Sequence, residues 1–174
     1  VLPELSVLWE TLETRHRAMF DLALELTPAQ LHFKPGPDRW SILQVLQHVI
    51  MGVQAMRRSE AELRDNPLRD ILQPGEMVAV VKQVLEKDVT VDVPDPSMMP
   101  DGKVTVEELR GIWDRERQAM AALLAAVTAE NREKVMFSHP AAGPMTALQV
   151  LEIAGAHLDT HLRQIDHIHS ALSA

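Results

Sequence analysis

Three times in this chain a hydroxyl side chain is followed three positions later by Gln or Glu and then by apolar residues at helical spacing. The pairs are Ser41 with Gln44, Thr105 with Glu108, and Thr146 with Gln149. In each the hydroxyl can satisfy an orphan backbone N–H of the first turn while the longer side chain reaches back to the cap, so each marks a helix start. Trp40 and Val45 flank the first box in the positions of a hydrophobic staple. The apolar residues that follow recur in steps of three and four, which defines one buried stripe per helix. Leu46, Val49, Val53 and Met56 carry the stripe after Ser41, running toward Leu63. Leu109, Ile112, Met120, Leu123 and Val127 carry it after Thr105, and Val150, Ala154, Leu158, Ile165 and Ile168 after Thr146.

A further stripe precedes these, at Leu5, Leu8, Leu12, Met19, Ala23 and Leu26, and predicts a first helix over about 5–26. Thr27 and Pro28 fit a cap and a first helical position, enough for one short turn before the Pro- and Gly-rich stretch 34–37. Between about 64 and 104 the pattern is less regular. Pro67 interrupts it, Pro74 opens a shorter helix through Met77, Val81 and Leu85, and Pro94, Pro96 and Pro100 mark a long loop. Four long amphipathic helices without a convincing alternating strand pattern predict an all-α four-helix bundle, with room for long crossover connections. No long linker divides the 174 residues, so a single domain spanning 1–174 is expected.

Composition narrows the function. The formal net charge of -8 opposes binding to a phosphate backbone, and the pair Arg57-Arg58 is too short to reverse that field, so no nucleic-acid partner is expected. Without cysteine there is no disulfide, thiolate ligand or cysteine nucleophile, and any metal must be held by nitrogen and oxygen. No basic region followed by an apolar core opens the chain, and no stretch has the length of a membrane span. A soluble, cytoplasmic protein is expected.

Histidine placement carries the chemistry. His157 and His161 are one turn apart on the apolar stripe of the last helix, and His48 sits on the flank of the second helix's stripe. Two neutral imidazoles at i and i+4 can share one cation, and a third from another helix would leave open positions for water or substrate. An i, i+4 pair alone is weak. Its burial and the third ring strengthen it, because an uncompensated polar ring on a core face is costly.

The segments W40-S-I-L-Q-V-L-Q-H48, H139-P-A-A-G-P-M-T-A-L-Q149 and H157-L-D-T-H161-L-R-Q164-I resemble the DinB-like (DinB/YfiT) superfamily of metalloenzymes, over most of the chain. The resemblance implies a four-helix bundle with up-up-down-down connectivity. It also implies a divalent metal ion, nickel or zinc, on His48, His157 and His161. For reaction it implies less: members include thiol-dependent transferases and isomerases, and fold and metal site travel further than function. The expectation is a metal-dependent transferase or hydrolase activating a thiol or water on a small molecule, with a low-molecular-weight thiol as one partner. The alternative is a non-catalytic metal-binding or stress-related interaction protein. The resemblance also suggests a homodimer formed through exposed helix faces.

No residue is assigned a catalytic role. Glu116 shares the third stripe and is read first as a salt-bridge partner of a neighbouring Arg, otherwise as a hydrogen-bond acceptor for a ligand histidine or a general base. His16 is equally a hydrogen-bonded core histidine or a fourth ligand or acid/base group. His139 is read as positioning the loop before the last helix, with lining the site's entrance as the alternative, and Gln164 as a packing and hydrogen-bonding residue with ligand orientation as the alternative. His167 and His169 suit solvent or capping roles near the end of the last helix, and His32 gives no signal. Met98-Met99 either covers a pocket or packs on the bundle, and Trp113 fits the core edge, a pocket or a dimer surface.

Overall fold

The computed structural model describes residues 1–64, 76–86, 96–139 and 142–172, with the side chains of 56–64, 76, 77 and 86 excepted. The roles read for Met56, Arg57-Arg58, Leu63, Pro67, Pro74, Met77 and Pro94 therefore lie outside the described residues. Six α-helices are described: α1 (Pro3–Glu25), α2 (Pro28–His32), α3 (Ile42–Arg64), α4 (Glu76–Glu86), α5 (Val106–Ala125) and α6 (Ala147–Ala171). A 3-10 turn spans Pro96–Met98.

All three expected capping boxes form, with side-chain and backbone bonds in both directions at Ser41/Gln44, Thr105/Glu108 and Thr146/Gln149. A fourth, Thr27 with Gln30, caps α2 and makes a true short helix of the expected single turn. The stripes become the core. Leu5, Leu12, Met19 and Phe20 of α1 meet Leu46, Val49 and Ile50 of α3, Leu109, Met120 and Leu124 of α5, and Leu158, Ile165 and Ile168 of α6 in one cluster. With few aromatics the packing is aliphatic, and each such side chain taken fully from water contributes roughly 1.5–3 kcal/mol against the entropy of ordering the chain.

The protein is an all-α four-helix bundle built from α1, α3, α5 and α6. Its helix directions, however, correct the expected up-up-down-down order. Gln44 and Gln47, near the start of α3, hydrogen-bond Pro100, Asp101 and Gly102, just ahead of α5. The neighbours α3 and α5 thus begin at the same end and run in parallel. Glu13 pairs with Arg117, and Glu4 with Arg132 beyond the end of α5, so α1 runs against α5. The segment past α5 leads into the chain before α6 at the end where α1 starts, and Arg15 meets Asp159 halfway along α6. The order is therefore up-down-down-up. Parallel neighbours need a connection that travels back along the bundle, about 30 Å for a helix of this length, and the stretch between α3 and α5 supplies that crossover.

One feature departs from the purely helical expectation. Strands β1 (Phe137–His139) and β2 (Gly143–Met145) pair antiparallel, with Phe137 opposite Met145 and His139 opposite Gly143. Gly143 adopts φ 72°, a left-handed conformation that glycine tolerates. Phe137, Ala142 and Met145 join Val78 of α4 and Val150 and Ile153 of α6 in a second, smaller core. This hairpin seats the start of α6. Among the described residues no helix is long and apolar enough to cross a membrane.

Candidate metal centre

His48 lies in the second turn of α3, and His157 and His161 lie midway along α6, the helix packed against it. His48 and His161 are only 7% and 8% exposed, and His157 is half-buried. One ring nitrogen from each of the three lies within 4.8 Å of the others, and among the described residues no other group of His, Asp or Glu converges this way. The expected trio is thus brought together by two helices packed against one another through the common core.

Two of the rings are also fixed in orientation. His48 Nδ1–H donates to the Met98 carbonyl at 3.0 Å, and His161 Nδ1–H donates to Gln164 Oε1 at 3.0 Å. With the proton held on Nδ1, the Nε2 of each ring carries a lone pair, the form a metal ligand needs. His161 Nε2 faces His157 Nε2 at 3.0 Å. Two nitrogens each about 2.0–2.1 Å from one ion stand about 3 Å apart, so this spacing suits a shared cation. The rings of His157 and His161 are nearly perpendicular, at 87° with centroids 4.4 Å apart.

Electrostatics keep the rings neutral. Burial lowers the pKa of His48, against a smaller opposing effect of its bond to Met98. It also lowers His161, to about 4, helped by repulsion from His48. His157 falls well below the usual histidine value through burial and through repulsion from His161, His48, His139 and His16. Without an ion, a His157 Nε2–H can donate to the His161 Nε2 lone pair; three neutral imidazoles whose nitrogens converge can instead share one cation. The donor set therefore fits a divalent ion of borderline softness.

Two further side chains adjoin the cluster. Gln164, read as a packing and hydrogen-bonding residue with ligand orientation as the alternative, accepts from His161 and so orients it. Trp40, read as a staple, does pack on the core, but its ring also stands 4.8 Å from that of His48 and 6.3 Å from that of His161, walling the cluster. The backbone carbonyl of Met98 reaches the site through His48, while Met99 is exposed.

The remaining candidates stay outside the cluster. His139 Nδ1 accepts the Ala142 N–H at 3.0 Å, tying the end of β1 to the residue just ahead of β2. His16 is a core histidine: its Nδ1–H donates to the Leu12 carbonyl at 2.8 Å and its ring stacks on Trp113 at 4.0 Å. Trp113 belongs to the core, with Trp9 at 6.1 Å. Glu116 is buried on α5 but is not part of the ligand group. His32, His167 and His169 are exposed. A surface cleft of about 100 Å³, lined by Glu13, Arg17, Arg110 and Arg117 among others, contains none of the three histidines. Arg117 there is already paired with Glu13 and Asp114.

Fold and site together define a helical-bundle protein with a buried three-histidine cluster of ligand geometry. The family comparison agrees: the profile of the DinB superfamily matches residues 11–165, and the chain belongs to that superfamily. It is 24% identical over 144 residues to the uncharacterized protein YuaE of Bacillus subtilis strain 168, covering 82% of this chain and 85% of that one. Its fold is similar to that of YfiT from Bacillus subtilis, described as a probable metal-dependent hydrolase with an unusual four-helix bundle topology. That match has a TM-score of 0.66 and 16% identity, and covers 99% of this chain and 90% of YfiT.

Proposed function

We propose that the protein is a divalent-metal-dependent enzyme whose ion, nickel or zinc, is held by His48, His157 and His161, and which activates water or a thiol for hydrolysis or transfer on a small molecule. The observation that carries this reading is the convergence of three neutral imidazoles, two buried and one half-buried, two of them with Nδ1–H committed to fixed acceptors. The likeness to YfiT, described as metal-dependent, supports it. When bound, a divalent ion supplies Lewis-acid polarisation and lowers the pKa of a water or thiol on its open positions. The chain's own part is to keep the three rings deprotonated, to fix two of them through Met98 and Gln164, and to restrict solvent with Trp40.

Purified protein should carry one equivalent of divalent metal, and His48→Ala and His161→Ala should lose it, as read by elemental analysis. Stoichiometric metal in both variants would sink the assignment. Activity is sought in two panels: ester and amide hydrolysis, and conjugation of electrophiles to low-molecular-weight thiols. The cluster also bridges α3 and α6, which favours a second, non-catalytic reading in which the ion braces the bundle. Chelation separates the two: loss of turnover with little change in Tm supports the enzyme, and a large fall in Tm without any turnover supports the brace.

A further inference from the structure

Three side chains within one turn of α3 grip the same short loop. Gln44 Nε2 donates to the Pro100 carbonyl at 3.0 Å, and Gln47 Nε2 donates to Asp101 Oδ1 at 3.0 Å. Gln47 Oε1 accepts the Gly102 N–H at 2.7 Å, and His48 Nδ1–H donates to the Met98 carbonyl at 3.0 Å. The loop is fitted to this grip. Gly102 has φ 69°, and a Cβ there would lie 3.1 Å from Gln44 Cγ, so glycine allows both the left-handed turn and the close approach. Pro100 is buried, and being a proline it brings no N–H that would need a partner there.

The consequence concerns His48. Its tautomer is set by one backbone carbonyl, and that carbonyl belongs to a loop that is itself placed by Gln44 and Gln47. Losing the hook frees the Met98 carbonyl to move, and the His48 proton is then no longer confined to Nδ1.

We propose that Gln47 and Gly102 form a latch that closes the 98–102 loop on α3 and thereby presents His48 to the metal as an Nε2 donor, so that latch closure and metal binding favour each other. Gln47 is a positioning residue here, acting through Met98 and His48. Linkage makes the effect reciprocal: whatever factor the closed latch adds to metal affinity, the bound metal adds to latch closure. The coupling rests on the three-histidine reading above; the tautomer control does not.

The test uses Gln47→Leu, which keeps the side-chain bulk but removes both hook bonds, and Gly102→Ala, which opposes the turn. Glu107→Ala is the control, since Glu107 is an exposed residue of α5 outside the 98–102 loop. In metal-free protein, nitrogen-15 NMR of the imidazoles should show His48 protonated on Nδ1 in the wild type and control, and a mixture of tautomers in the two latch variants. Zinc affinity, measured by competition with a chromophoric chelator well below the Tm of each variant, should fall about tenfold in both, the usual scale for losing an orienting partner. It should be unchanged in the control. On zinc addition the Gly102 amide of the wild type should exchange with solvent more slowly.

An unchanged single tautomer in both latch variants overturns the latch. Unchanged zinc affinity in both overturns the coupling. If the wild type binds no divalent metal, the three-histidine reading fails, and the metal-free tautomer measurement still decides whether Gln47 controls His48.

Discussion

His16 shows how much one buried ring can constrain. Its Nδ1–H is satisfied by the Leu12 carbonyl and its face by Trp113, yet its Nε2 is the one buried side-chain nitrogen or oxygen, among the described residues, without a hydrogen-bond partner. An acceptor stripped of water and left unmatched costs about 1–3 kcal/mol. His16→Phe keeps a flat ring against Trp113 and removes that acceptor, so the variant should unfold in urea at neutral pH with a stability about 1 kcal/mol above wild type. A less stable variant would mean that Nε2 has a water or ligand the ring relies on. At this scale the sequence shows which residues have metal-ligating chemistry and which face they occupy. It does not show which rotamer a ring adopts. Gln164 and Trp40 were legible as residues near candidate ligands, three and eight positions away, but their contacts depend on side-chain torsions and on a neighbouring helix.

At the scale of elements, the hydroxyl and the Gln or Glu of each box act within one turn, so the starts of α3, α5 and α6 could be read directly. Thr146→Ala removes the hydroxyl that accepts the Gln149 N–H at the head of α6, and should lower stability by about 1 kcal/mol in chemical denaturation. His157 and His161 lie well inside the helix, so zinc affinity in that variant should stay at the wild-type value. The hairpin β1/β2 was not legible, because three-residue strands are too short to show alternation and Pro144 argues locally against one. Helix direction was equally hidden. An amphipathic stripe reads the same whichever way its helix runs, and the parallel α3/α5 pair is revealed only by the contacts of Gln44 and Gln47 with the end of the crossover.

For the whole molecule, the buried histidines tie stability to pH. In the unfolded chain a histidine takes up a proton as pH falls through 6.5, whereas folded His16 and His161 stay neutral until about pH 4. The unfolded state therefore binds more protons between these values, so stability is full above about pH 6.5 and declines toward pH 4. Each such group contributes a slope of up to about 1.4 kcal/mol per pH unit. Urea midpoints of metal-free protein should drop steadily from pH 7 to pH 5, and His16→Phe should drop less steeply. A flat profile would show that these rings are solvated in the fold.

The four helices, their starts, their buried faces and the three candidate ligands were determined by the sequence itself, because capping and amphipathic period act within a few residues of chain. The tertiary structure decided the rest: the up-down-down-up order, the Trp40 wall, the Gln164 and Met98 acceptors, and the meeting of three rings within 4.8 Å. Those depend on contacts between residues far apart in the chain, such as Gln47 with Gly102 and His48 with His157, and only the packing of the whole core specifies which distant residues meet.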